Sequence, residues 1–189
     1  MSYLSVLSDL IARKEEVFLL AVNGKCRKFV IFNLLILGVL FGFSNFIGAV
    51  STTPDLPLDG KFAFITPLIF CVSGFFTMST ALIGFVLVYW SAAKAFDGRG
   101  GFALIFDLLG LSLIPFWVIA PLLNYVIIFS NSKVMTIVLF AVIGVAAVWS
   151  FQLTRGSLVV GQGLSRKKAA IAVCCIWIFS ISSIYVFLP

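Results

Sequence analysis

Apolar and polar residues fall in long blocks along this chain. Five stretches, about 29–50, 62–90, 102–129, 134–153 and 169–188, are almost continuously apolar, and short polar segments separate them. At about 1.5 Å of rise per helical residue, about twenty such residues cross a hydrocarbon core about 30 Å thick. Lipid offers the backbone no hydrogen-bond partner, so each stretch reads as a helix. The pattern predicts an all-α polytopic membrane protein, a bundle of five transmembrane helices over residues 29–189. Residues 1–28 precede it as a cytosolic segment. There Leu4, Leu7, Ile11 and Phe18 recur at helical spacing while Asp9, Arg13, Lys14, Glu15 and Glu16 fall largely elsewhere. Too short and too charged to span, this segment reads as an interfacial amphipathic helix.

Within the spans, small and polar residues mark positions where helices meet or bend. Gly38 and Gly42 in the first span form GxxxG, which lets another helix approach closely. In the second, Ser73, Thr77 and Thr80 share a face, either bonding their own helix carbonyls or lining a polar stripe. The third span is the most unusual, because it holds Asp107, Gly110, Pro115, Pro121 and Asn124 in one apolar run. Proline removes a backbone bond and clashes with the preceding turn, so a kink or break is expected within about one turn of Pro115. Asp107 lies near the inner end of that span, where the helix amino-terminal dipole favours a carboxylate. The alternative is a proton- or cation-handling acid, with Asn124 and Thr77 as the other functional polar groups.

Composition sharpens this picture. Of the 189 residues, 62% are hydrophobic and 11% charged, and the mean hydropathy is +1.20. Soluble domains are about 45–50% apolar and about 25% charged. The thirteen Lys and Arg exceed the seven Asp and Glu, and the excess is arranged by loop. Eleven of the cations lie before the first span or in the second and fourth loops, while only Lys61 and Lys133 lie in the others. The positive-inside rule then sets the amino terminus in the cytosol and the carboxyl terminus outside or in a lumen. Lys25, Arg27 and Lys28 ahead of the first span, and Arg166, Lys167 and Lys168 ahead of the fifth, are placed to meet lipid headgroups. In a membrane protein this basic excess reports topology and not nucleic-acid binding.

Candidate chemistry is sparse. There is no His, which removes the commonest metal ligand and neutral-pH base. Cys26, Cys71, Cys174 and Cys175 match neither a disulfide framework nor a zinc pattern. Asp55 and Asp59 fall short of the ligand count calcium needs. The GRGG of Gly98–Gly101 is not preceded by a strand or followed by Lys-Ser/Thr, so it is no P-loop. No signal peptide is visible; the first apolar run reads as a retained anchor. No metal and no cofactor is expected, and Asp107 as the lone acid in a span argues against an enzyme.

Three features resemble the Yip family of five-span membrane proteins. The number and orientation of spans is the first. LLGLSLIPFW (Leu108–Trp117) is similar to that family's Gly-aromatic step followed by Pro, with Gly110 and Pro115 matching and Leu111 replacing the aromatic. GQGLSRKKAA (Gly161–Ala170) is similar to the loop that leads into the last helix. The resemblance implies a helical bundle with a scaffolding or trafficking role, here of the short prokaryotic type, which sets the chain in the inner membrane of the cell with its carboxyl terminus outside, in the periplasm. The expected function is non-enzymatic organisation of lipid or partner contacts, the partners being membrane lipids and a second copy or another membrane protein. The alternative is a small transporter or channel with its site at the broken third span.

Overall fold

The computed structural model describes residues 3–53, 56–129 and 133–187, and every regular element among them is helical. Asp55 and the polar residues Ser130–Ser132 between the third and fourth apolar stretches lie outside the described residues. In chain order the helices are α1 (Tyr3–Ile11), α2 (Leu19–Val22), α3 (Arg27–Thr52), α4 (Phe62–Ala95), α5 (Phe102–Leu111), α6 (Phe116–Phe129), α7 (Lys133–Gln162) and α8 (Arg166–Phe187). A 3₁₀ turn, Glu15–Phe18, precedes α2. Among the described residues, α3, α4 and α7 are each long and apolar enough to cross a membrane. A fourth candidate is the α5–α6 pair if its two bent pieces count as one span.

The amino-terminal segment departs from the single helix that its spacing predicts. Helix α1 stops at Ile11, and Arg13 takes a left-handed conformation (φ 58°). Backbone bonds from Arg13 N–H to Leu10 O and from Lys14 N–H to Asp9 O close the helix end. The charged run Arg13–Glu16 supplies no apolar stripe to carry the helix through, so the chain turns and restarts. Val6, Leu10, Val17, Phe18 and Ala21 are buried against the protein itself, while Leu4 and Ile11 stay exposed.

The third apolar stretch is broken as Pro115 requires. Helix α5 ends at Leu111, α6 begins at Phe116, and the pair bends by 69° across the gap. The turn is closed locally by Phe116 N–H to Leu113 O and Trp117 N–H to Ile114 O. Ser112 donates its hydroxyl to Leu108 O, satisfying a carbonyl at the end of α5. Two other boundaries move outward. Helix α4 runs to Ala95 instead of ending near Trp90. Helix α7 runs to Gln162, so most of the loop expected over Thr154–Lys168 is helix. The residues that read as loop there keep a buried face (Thr154, Ser157, Leu158), and that packing outweighs their polar neighbours. Gly163, at φ 67°, then ends the helix.

Contacts divide the chain into two compact units whose boundaries fall within α3, α4 and α7 and between α5 and α6. Unit 1 is Met1–Val30, Leu82–Ser112 and Phe151–Pro189; unit 2 is Ile31–Ala81 and Leu113–Ser150. The amino-terminal segment therefore belongs with the second part of α4, with α5 and with α8. In unit 2, Gly38 and Gly42 of α3 face Phe75, Phe70 and Cys71 of α4, and Gly74 of α4 faces Gly38 and Gly42 in return. A Cβ at any of these three glycines would strike backbone of the other helix. The GxxxG motif thus serves close intramolecular packing of α3 on α4.

Candidate functional site

The charged groups gather in unit 1. Eleven of the thirteen Lys and Arg lie in its segments, leaving Lys61 and Lys133 to unit 2. At the centre of unit 1 is Asp107, 6% exposed. It is the sixth residue of α5, and the first turn of that helix holds no acid. Helix-dipole effects fade within the first turn, so the dipole account expected from the sequence does not apply. Its partner is Arg27, whose Nε lies 3.0 Å from Asp107 Oδ1. That oxygen has no aligned hydrogen-bond donor, so the pair is held by charge more than by bond geometry. The Arg27 guanidinium also lies 5.8 Å from the centre of the Phe106 ring, within cation–π range.

Sequence and fold conspire to bring these groups together. Helix α2 ends in a Schellman turn: Gly24 N–H bonds Ala21 O, Lys25 N–H bonds Leu20 O, and Gly24 sits at φ 66°. The turn aims the chain so that Cys26, fully buried, opens α3 by accepting from Phe29 and Val30 N–H. Burial, followed by the Asp107 carboxylate beside it, pushes the Cys26 thiol up to about 11. Gly110, one turn beyond Asp107, lies against Val30, and a Cβ there would collide with that side chain. The absence of a side chain at Gly110 is therefore what lets α5 close on the start of α3.

A broad surface cavity of about 840 Å³ lies beside this cluster. It is lined by Leu20, Gly24, Lys25, Arg27, Lys28 and Phe29. Asp107 holds Arg27 from the buried side while the Arg27 side chain remains 57% exposed. Lys25 and Lys28 are exposed and enter no ion pair among the described residues. The basic residues that open α8 behave differently. Lys168 Nζ pairs with Asp97 at 3.0 Å and donates to Phe96 O, and Arg166 reaches Glu15 at 3.4 Å. Lys167 is exposed.

A residue that the sequence reading passed over joins two of its motifs. Gln162 is 1% exposed; its Oε1 accepts from Gly100 N–H at 2.9 Å, and its backbone oxygen accepts from Arg99 N–H. The GRGG loop and the GQG stretch therefore lock together, with Gly98 and Gly100 making room for the glutamine side chain. The signal available in sequence was a glutamine between two glycines after an apolar helix, which by itself specifies no partner.

Thr77 and Asn124 find their partners within unit 2. Thr77 donates to Ser73 O of its own helix at 2.9 Å. Asn124 Nδ2 donates to Ser44 Oγ at 3.2 Å and to Asn45 Oδ1. Ser44 in turn donates to Pro121 O at 3.5 Å. Among the described residues, no group of three His, Cys, Asp or Glu side chains gathers to hold a metal ion.

No curated protein and no solved structure matches the chain significantly. The profile of the Yip1 domain, in contrast, matches residues 22–187, from the turn that sets Arg27 beside Asp107 to the end of α8. The chain is a member of the Yip family.

Proposed function

We propose that this protein is a non-enzymatic membrane organiser, holding lipids and neighbouring membrane proteins through its helices and a basic cytosolic layer. In this reading five helices cross the inner membrane of the cell. They are α3, α4, the bent α5–α6 pair, α7 and α8, with the amino-terminal segment at the cytosolic interface and the carboxyl terminus outside. The observation that carries it is the partition of charge. The cations concentrate in unit 1, whereas unit 2 exposes Phe64, Val134, Ile137 and Val145 by 68–83%, as side chains that meet lipid would. Lys25, Arg27, Lys28, Arg166, Lys167 and Lys168 then face anionic headgroups, each worth about 1 kcal/mol near the surface. A second copy or another membrane protein would pack against the exposed apolar faces.

The transporter alternative gains nothing from the geometry. Thr77 and Asn124 bond within unit 2, and Asp107 pairs with Arg27 inside unit 1, so each candidate polar group already has a partner. An impermeant amine-reactive reagent applied to intact cells tests the orientation, with modified lysines identified by mass spectrometry. Lys133 should be modified from outside, and Lys167 and Lys168 only after permeabilisation. Modification of all three from one face would overturn the proposal. So would a proton or cation flux in liposomes that Asp107→Asn abolishes.

A further inference from the structure

We propose that the cavity beside Arg27 is a binding site for the phosphate of an anionic membrane lipid, and that Lys25 and Lys28 are its principal ligands. This rests on the membrane-organiser reading but narrows it from a diffuse basic layer to one defined site. Three cations converge on one concavity of about 840 Å³, large enough for a phosphodiester headgroup. The three are not equivalent. Arg27 is anchored from behind by Asp107 at 3.0 Å and by the Phe106 ring, which fixes one positive group at the cavity wall. Lys25 and Lys28 carry exposed ammonium groups with no acidic partner among the described residues, unlike Lys14, Arg166 and Lys168. The uncompensated charge of unit 1 therefore includes a pair of lysines lining this cavity.

The apolar part of the lining selects a lipid over a soluble phosphate. Leu20 and Phe29 contribute to the wall, and Leu19 and Val22 beside it are each 48% exposed. A glycerophospholipid would meet both requirements at once, its phosphate at the lysines and its first methylenes on these side chains. A free phosphate would use only the first. Asp107 is a positioning residue in this scheme: it touches Arg27 and not the lipid.

The test uses the full chain in nanodiscs of phosphatidylcholine with a minor fraction of phosphatidylglycerol, the retained lipid being read by native mass spectrometry. The wild-type protein should retain phosphatidylglycerol preferentially. Lys25→Gln/Lys28→Gln should weaken that retention by tenfold or more, about 1.4 kcal/mol, whereas Lys94→Gln, at an exposed lysine of the same unit, should leave it within about twofold. Arg27 is left intact, because its loss would strand Asp107. Unchanged retention in the double variant would overturn the site. An equal loss in Lys94→Gln would show a diffuse charged surface, which also overturns it. Displacement of the lipid by inorganic phosphate or glycerol phosphate at matched concentration would assign the site to a soluble anion and overturn the lipid. Lysine labelling of the same variants reads topology separately, so lost retention with intact orientation is distinct from failure of the membrane reading.

Discussion

The two units are held together by opposite devices. Unit 1 buries Asp107, Thr154, Ser157 and Gln162 among its apolar side chains and brings two of them to partners distant in sequence, Arg27 for Asp107 and the Gly100 backbone for Gln162 Oε1. Unit 2 fully buries few apolar side chains (Leu34, Leu37, Leu113, Ile114, Ile119 and Ala146). It relies on glycines that bring α3 and α4 into backbone contact. The difference teaches where each kind of interaction is useful. In hydrocarbon, burying an apolar side chain against another gains little over burying it in lipid, so close packing of small residues drives association. Wherever water competes, burying a side chain such as Phe18 or Leu158 of unit 1 carries the full hydrophobic gain.

The sharpest way to break this comparison is to place a side chain between α3 and α4. Gly74→Val would set a branched Cβ against the backbone of Gly38 and Gly42, where no flexible side-chain end can yield. A loss of about 3 kcal/mol is expected, read as a lowered unfolding midpoint in detergent. A near-neutral result would mean that α3 and α4 are not in backbone contact. Next in size is Arg27→Met. Asp107 stays buried without its cation, and an unmatched buried polar group costs about 1–3 kcal/mol. Since Arg27 is itself partly exposed, the lower half of the range for broken pairs is expected. Asp107→Leu added to Arg27→Met should restore much of the loss; if it deepens the loss, packing and not charge holds that junction.

Much of this architecture was legible in the sequence, and the gaps have physical causes. The four long apolar runs through residue 162 correspond to helices because hydropathy and length alone specify a helix in lipid. The break at Pro115 was legible for a similar reason, since missing backbone donors are a local property. The Asp107–Arg27 pair was not, although both residues drew attention singly. Pairing them requires knowing that Gly110 lets α5 approach Val30, and a glycine in a sequence does not say which neighbour it admits. The extension of α7 to Gln162 was missed because Arg155, Gly156 and Ser157 read as loop. Their helical state is imposed by tertiary contact, with Gly156 lying 3.5 Å from Glu15 and Phe18 by the path a Cβ would take.

A smaller effect, confined to alkaline solution, separates the junction from the rest of unit 1. The Cys26 thiol has a folded-state value of about 11 against an ordinary value of 9.0, so folding favours its protonated form. That contribution is complete below pH 9 and is lost as the pH rises toward 11. Unfolding midpoints measured across this window should fall more steeply for the wild-type chain than for Cys26→Ala. Equal slopes would mean that the thiol reaches water in solution.

The least disruptive change probes a position of unit 2 that is open among the described residues. Gly144 of α7 has open space where its Cβ would lie, with no atom within 4 Å. Gly144→Ala is the same kind of change as an alanine at Gly74, made in the same unit, and differs only in what surrounds it. If lipid surrounds Gly144, the added methyl meets nothing rigid and the helix gains up to about 1 kcal/mol from reduced backbone freedom. A loss instead, accompanied by a shift to smaller particles in detergent, would mean that α7 uses Gly144 as α3 uses Gly42. It would then pack against the helix of a second copy, and the contrast between the units would become one between packing within a chain and packing between chains.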